Sequence, residues 1–302
     1  MAIRLDPGGC GMKTVELSKR LVKAKNPCAN GFRWMLRHHP DGHDYQPLLD
    51  ALVADGRVND ARWLLDQFGA TSDVLRLETL SAEVVVFAGS IEVAGDIDVA
   101  GMVRAGGGVR AGGSIRTGAH LVAGTSIVAE GTIDAESVSA GADVHANSIV
   151  VTAGVRAGGG LRCSQSLFCH TDLDVAEQAM VGGMLVAGGR VRVGRSLRVR
   201  GELRSGLEVR AGDGIQVDGA IECGSHLEAG WGIRSGGDIV AAGAIRVGES
   251  LLAQGDLRAG ADYGIYAGLE VQRANWDTSA RVSAAVEPEN LLSGHWVGRG
   301  GL

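Results

Sequence analysis

The chain has 302 residues, 45% of them hydrophobic, with 29 Lys+Arg against 35 Asp+Glu and a formal net charge of -6. It is long and apolar enough to bury a core in one or two domains, and its acidic balance disfavours unspecific attraction to nucleic acid. Glycine numbers 48, proline only 5, and aromatic residues make up 4%, which excludes collagen, Pro-rich linkers and the ring-rich core of a sandwich or doubly wound enzyme.

The first segment reads as helices. KTVELSKRLVKAK comes first, then Asn26-Pro27 as N-cap and first position before CANGFRWMLRHH, then Asp44 before YQPLLDALVADG, then VNDARWLLDQFG ending at Gly69. Residues 1–80 are expected to form a small helical domain that covers the open first coil of the repeat region beyond them. No apolar export segment and no run of about 18 apolar residues is found, so neither export nor membrane spanning is expected.

From Ile91 an aliphatic residue returns every sixth position, through Ile97, Val103, Val109, Ile115, Leu121, Ile127 and Ile133, and again without interruption from Leu185 to Leu257. Two residues after each aliphatic comes a small apolar one such as Val93, Ala105 or Val193, then a Gly-rich pair. Positions one and three share a face of a short strand, position two points to solvent, and the glycines turn the corner with positive φ. Three such sides close a triangle of about 18 residues. The fold class is therefore mainly β: a hexapeptide-repeat parallel β-helix, a triangular solenoid over residues 81–262, with a small N-terminal α-helical domain. Nine or ten turns and a rod of about 45 Å are expected. The five-residue steps from Ile133 to Val138 and from Val144 to Ile149 read as corner deletions. Residues 263–302 are expected to close the far end, with Trp276 and Trp296 folding back over it.

Chemistry-bearing residues are scattered. Cys10, Cys28, Cys163, Cys169 and Cys223 include no CxxC pair, which argues against a disulfide framework and for a reducing, cytoplasmic setting. Cys163, Cys169 and Cys223 fall on the small inward position and substitute for Ala or Val. Cys10, Cys28, His38, His39 and His43 have no ligand spacing, so no metal or cofactor is expected. His120, His145, His170 and His226 fall singly on outward or corner positions.

One charge feature rises above background: Arg192, Arg198, Arg204 and Arg210, accompanied by Arg190, Arg195 and Arg200, in an acidic chain. Stacked by about 18 residues, Arg192 lies over Arg210, and Arg198 lies near Gln216 and Arg234. Phe168 and Val186 are apolar at outward positions, and Trp231 stands at a corner where a small or polar residue is usual. Trp231, Arg192, Arg198, Arg204, Arg210 and Phe168 are the candidate partner-binding residues.

The period and aliphatic placement resemble acyltransferases built on hexapeptide β-helices. In those a catalytic His is expected on a projecting loop, for which the regular hexads leave no room. In segments such as IEVAGDIDVAGMVRAGG and GGRVRVGRSLRVRGELRSG, residues 84–262 resemble the bactofilins and related polymer-forming β-helix proteins. That resemblance implies a cytoplasmic, nucleotide-independent scaffold that joins end to end and locates partner proteins. The chain departs from it in being longer and in carrying a helical domain where bactofilins generally have a short disordered tail. Three functional classes emerge: a non-enzymatic scaffold or protein-interaction module, self-assembling or bound to a protein partner; an inhibitor or decoy of a nucleic-acid-processing or defence complex, of the anti-CRISPR kind; and a hexapeptide acyltransferase. Nucleic acid and lipid head groups are the other partners that a basic stripe admits.

Overall fold

In the computed structural model, which describes residues 16–39 and 43–299, three parallel sheets run along a β-solenoid. Face one has 13 strands, from Val74–Leu77 to His295–Trp296; face two has 11, from Leu80–Ala82 to Leu257–Arg258; face three has 12, from Val85–Phe87 to Leu291–Ser293. Each strand pairs with the one a full turn away, so that Leu203, Ile221 and Ile239 lie in register on face two. Within a strand the first and third residues are buried and the second faces out, as in Val191–Val193 and Ile221–Cys223. The buried positions merge into one aliphatic column running the length of the solenoid. Both middle deletions are absorbed at corners: Leu121 pairs with Val138 and Ile133 with Ile149, after which Ile149 pairs with Leu167 in the regular step.

The rod has about 12 turns, more than the hexad count gives, and at the usual inter-strand spacing it is about 55–60 Å long. The additional turns come from both ends. Strands begin at Val74, ahead of the first clean hexad. Beyond Leu257 the tail supplies Ile265–Tyr266, Arg281–Ser283, Leu291–Ser293 and His295–Trp296. A loop carrying the short helix Trp276–Ser279 breaks the period, yet Val282 returns to register over Leu251 and Trp296 over Val282. The tail thus extends the solenoid, and Trp296 packs on its core while Trp276 donates from Nε1 to the Val271 carbonyl (3.2 Å).

The corner glycines act through space rather than through φ. The positive-φ glycines among the described residues are Gly56, Gly69, Gly268, Gly294 and Gly298, none at a regular hexad corner. At the edge between faces three and one, Gly194, Gly212, Gly230 and Gly248 stack turn on turn. A Cβ on each would lie 1.9, 2.0, 2.0 and 1.8 Å from the carbonyl oxygen beneath it. Missing side chains allow the turns to stack at strand distance while the chain bends. Other corners are tied by side chains that accept an N–H from the next turn: Asp96 from Ser114 (2.7 Å), Asp172 from Arg190 (2.8 Å), His226 Nδ1 from Ala244 (3.0 Å) and Asp238 from Asp256 (2.8 Å).

Among the described residues four helices precede the rod: α1 (Lys19–Ala24), α2 (Ala29–His38), α3 (Tyr45–Ala54) and α4 (Val58–Phe68). Ser18 caps α1. The cap of α2 is Cys28, whose sulfur accepts from the Gly31 N–H (3.1 Å), whereas Asn26 takes a left-handed conformation (φ 53°) that ends the preceding turn. Gly69 closes α4 with φ 78°, a conformation open to glycine. Cys10 and residues 13–15 of the first predicted helix lie outside the described residues.

The helices meet the solenoid on the first strand of face three. Val85 and Phe87 bond toward the second turn, through Met102 and Gly106, so the backbone groups of Val86 and Ala88 point to the open end. Gln46 of α3 meets both: its Nε2 donates to the Val86 carbonyl (3.0 Å) and its Oε1 accepts from the Ala88 N–H (2.7 Å). The Val86 and Ala88 side chains join the helical core beside Leu48, Leu49 and Leu65, and Arg104 pairs with Asp66 of α4 (2.8 Å). One amide thus replaces a missing strand at that edge.

Candidate interaction surface

Residues six apart occupy successive faces, so the arginine run divides among all three sides. Arg192 and Arg210 are neighbours on face three, Arg204 is on face two and Arg198 on face one. The four arginines therefore form no single stripe.

On face three the outward column reads Arg156, Asp174, Arg192, Arg210, Glu228 and Arg246. Its charges compensate: Arg192 bonds Glu208 through two nitrogens (2.9 and 2.6 Å), and Glu228 lies between Arg210 (3.9 Å) and Arg246 (3.5 Å). A shallow depression of about 620 Å³ there is lined by Arg156, Asp174, Arg192 and Arg210. On face two Arg204 is held by Glu202 (2.8 Å) and Glu222 (3.6 Å). The same face carries Phe168 between Val150 and Val186; Val150 and Phe168 are exposed and Val186 is half-buried. Phe168 is on a different side from Trp231.

Face one differs. From the strand Leu161–Cys163 to Leu251–Ala253 its outward column reads Arg162, Met180, Arg198, Gln216, Arg234 and Leu252. A groove of about 460 Å³ runs along it, lined by Met180, Arg198, Gln216, Trp231, Arg234 and Leu252. Trp231, between Gly230 and Gly232 at the corner entering this face, is 58% exposed. Arg198 donates to Gln216 Oε1 (2.8 Å), and Arg162 reaches only the Met180 sulfur (3.9 Å). Among the described residues none of Arg162, Arg198 and Arg234 has a carboxylate within ion-pair distance, although Glu249 also lines the groove, at the corner beside Trp231. Of the six candidate residues, Trp231 and Arg198 are brought together. Arg162, Met180 and Leu252 are lining or flanking residues missed by looking along the sequence, and visible when every eighteenth residue is read as one column.

Among the described residues the nucleophilic and basic side chains do not converge into a reacting group. Cys163 and Cys223 donate their thiols to carbonyls of Asn147 (3.4 Å) and Leu207 (3.1 Å), as Ser205 does to Gly189 (2.7 Å) from an equivalent inward position. Burial pushes the Cys163 thiol up to about 11, the Cys169 thiol to about 12, and the Cys223 thiol upward as well, so all three stay protonated and unreactive at neutral pH. His120 lies 2.9 Å from Ser137 Oγ and 3.9 Å from Glu136, but through the same nitrogen, Nδ1. A triad needs nucleophile and orienting acid on opposite ring nitrogens. His38 stacks on Trp34 within the helical unit, His145 is exposed on face one, and His170 is near the Val151 carbonyl. Among the described residues no helix is long and apolar enough to cross a membrane.

No curated protein and no solved structure matches the chain. The family model described as YdhT N-terminal domain matches residues 12–70, so the segment that contains α1 to α4 is similar to that domain.

Proposed function

We propose that this chain is a non-enzymatic protein-interaction module, a rigid rod that presents one electrostatically unsatisfied side to a partner protein. The observation that carries the reading is the groove on face one, where Trp231, Arg198 and Arg234 converge while arginines on the other faces are neutralised by the chain's own carboxylates. An exposed indole beside guanidinium groups has the composition that dominates binding energy at interfaces. The aliphatic filling of the interior supports the same reading, since it leaves the coil no room for a substrate. Free buried thiols fit a reducing, cytoplasmic setting. Arg198→Glu with Arg234→Glu should abolish capture of a partner from the native host while the melting curve is unchanged. Retention of that partner would move the site to another face or to the helical unit, and turnover of an acyl donor by the purified chain would overturn the reading.

A second reading, end-to-end self-assembly, draws on the sheet edges. Among the described residues the outer edges of Leu80–Ala82 and Leu257–Arg258 pair with no further strand, at the two ends of face two, and unpaired edges recruit other strands. Sedimentation over a concentration series tests it: a monomer throughout rejects this reading and leaves the interaction-module reading intact.

A further inference from the structure

The arginines of face one are regularly spaced, and the spacing selects a ligand. Arg162, Arg198 and Arg234 stand on alternate turns, separated by Met180 and Gln216. Two turns of a parallel sheet measure about 9.4–9.8 Å. Along an extended β-strand, side chains of one side recur at about 6.6–6.8 Å, which misses this interval. In an α-helix, residues seven apart recur at about 10.5 Å, an error that grows over successive contacts. A polyproline II segment repeats every three residues at about 9.3 Å, and its second repeat, about 18.6 Å, still meets the third arginine. Nucleic-acid phosphates are far denser, about 3.4 Å apart along each strand axis of a duplex, and do not match the two-turn interval.

Resting on the interaction-module reading, we infer that the groove receives an acidic polyproline II segment of a partner protein, with a carboxylate at every third residue. Successive carboxylates meet Arg162, Arg198 and Arg234, whose planar guanidinium groups donate paired N–H bonds to them in bidentate fashion. The intervening ring or aliphatic side chains lie against Met180, Leu252 and the Trp231 indole, which line the same groove. Exposed aromatic rings are the common recognition element for polyproline II. Strands on both sides of every arginine fix the backbone of the column, so on the protein side binding orders only side chains.

Fluorescence anisotropy at low salt with the full chain tests the inference, using a labelled peptide of three Glu-Pro-Pro repeats. The comparison probes are a peptide of identical composition with its three glutamates adjacent and a labelled thymidine oligonucleotide. The repeat peptide is expected to bind at least several-fold more tightly than either. Arg198→Gln and Arg234→Gln should each weaken it by roughly tenfold, Trp231→Ala by a comparable factor, and Arg192→Gln on face three by less than twofold. Equal binding of the rearranged peptide, tighter binding of the oligonucleotide, or indifference to Arg198→Gln and Arg234→Gln in variants with unchanged melting overturns the inference. If the native partner is nevertheless lost on Arg198→Glu with Arg234→Glu, the interaction-module reading survives that failure.

Discussion

Ile221 and Glu222 are adjacent in the chain and opposite in environment, which makes them a sharp test of the inward and outward assignment. Ile221 is fully buried, in register with Leu203 and Ile239. Glu222 faces solvent and lies 3.6 Å from Arg204. Ile221→Ala removes three carbons, about 2.4 kcal/mol at ~0.8 kcal/mol per buried methylene. The neighbours above and below are fixed by their own strand pairing, so the cavity collapses little and the total is expected near 3–4 kcal/mol. Glu222→Ala removes one exposed ion pair and should cost under about 1 kcal/mol. Urea unfolding followed by circular dichroism gives the comparison, and hydrogen exchange should locate the loss in the turns nearest Ile221, since a solenoid couples mainly nearest neighbours. Ile221→Asp places an unpaired carboxylate in the same column and should unfold those turns outright. A difference below about 0.5 kcal/mol between the two alanine variants, or an unchanged transition for Ile221→Asp, would refute the assigned core face.

Three other outcomes are expected. Gly212→Ala, which sets a Cβ 2.0 Å from the Gly194 carbonyl oxygen, should lower stability by about 1–3 kcal/mol through forced separation of two turns; a neutral result in thermal melts would show that the corner has slack. Cys163 and Cys169 keep their protons to about 11 and 12 in the folded chain, while an unfolded thiol ionises near 8.5. Stability should therefore be complete below about pH 8.5 and fall toward pH 11–12, and Cys163→Ala with Cys169→Ala should flatten that decline in alkaline melts. Gln46→Ala leaves the Val86 carbonyl and Ala88 N–H without their partner and should weaken docking of the helices by about 1–3 kcal/mol, visible as faster proteolysis between Phe68 and Val74; an unchanged cleavage rate would assign the joint to the apolar contacts alone.

The hexads made the solenoid legible because the in-out alternation and the turn length are both periodic, and periodicity survives the lack of any partner information. What escaped is either aperiodic or transverse to the chain. The tail strands Arg281–Ser283 and His295–Trp296 come after a loop of irregular length, so no spacing announces that Val282 returns over Leu251. Cys28 as the cap of α2 was hidden because sulfur is an unusual acceptor and Asn26-Pro27 a familiar start signal. The corner glycines were legible as glycines but not in their reason: positive φ is a property of one residue, whereas the close approach of Gly212 to Gly194 exists only between turns. The arginine run misled for a related cause. Arg192, Arg198 and Arg204 are near in sequence and lie on three different sides, whereas Arg198 and Arg234 share one, and their stacking is legible from the period of about 18 residues.

That transverse reading also underlies the proposal that one side of the rod is left to bind a partner. A carboxylate on a neighbouring turn is about 4.8 Å along the sheet from an arginine on the same column, within reach of a long side chain. Face three places opposite charges at that interval, as in Asp174 beside Arg192 and Glu228 beside both Arg210 and Arg246, and so quenches itself. Face one instead alternates arginine with Met180, Gln216 and Leu252, none of which can neutralise a guanidinium. The small residues at the adjoining corner, Gly214 and Gly232, leave that edge of the groove low, with Trp231 and Glu249 standing beside each other farther along it. In the proposed complex, an arginine column with no carboxylate within ion-pair distance among the described residues, marked at one edge by an exposed indole, gains on binding what face three has already gained on folding. The same strand pairing that makes the rod rigid therefore fixes which of its sides is chemically incomplete.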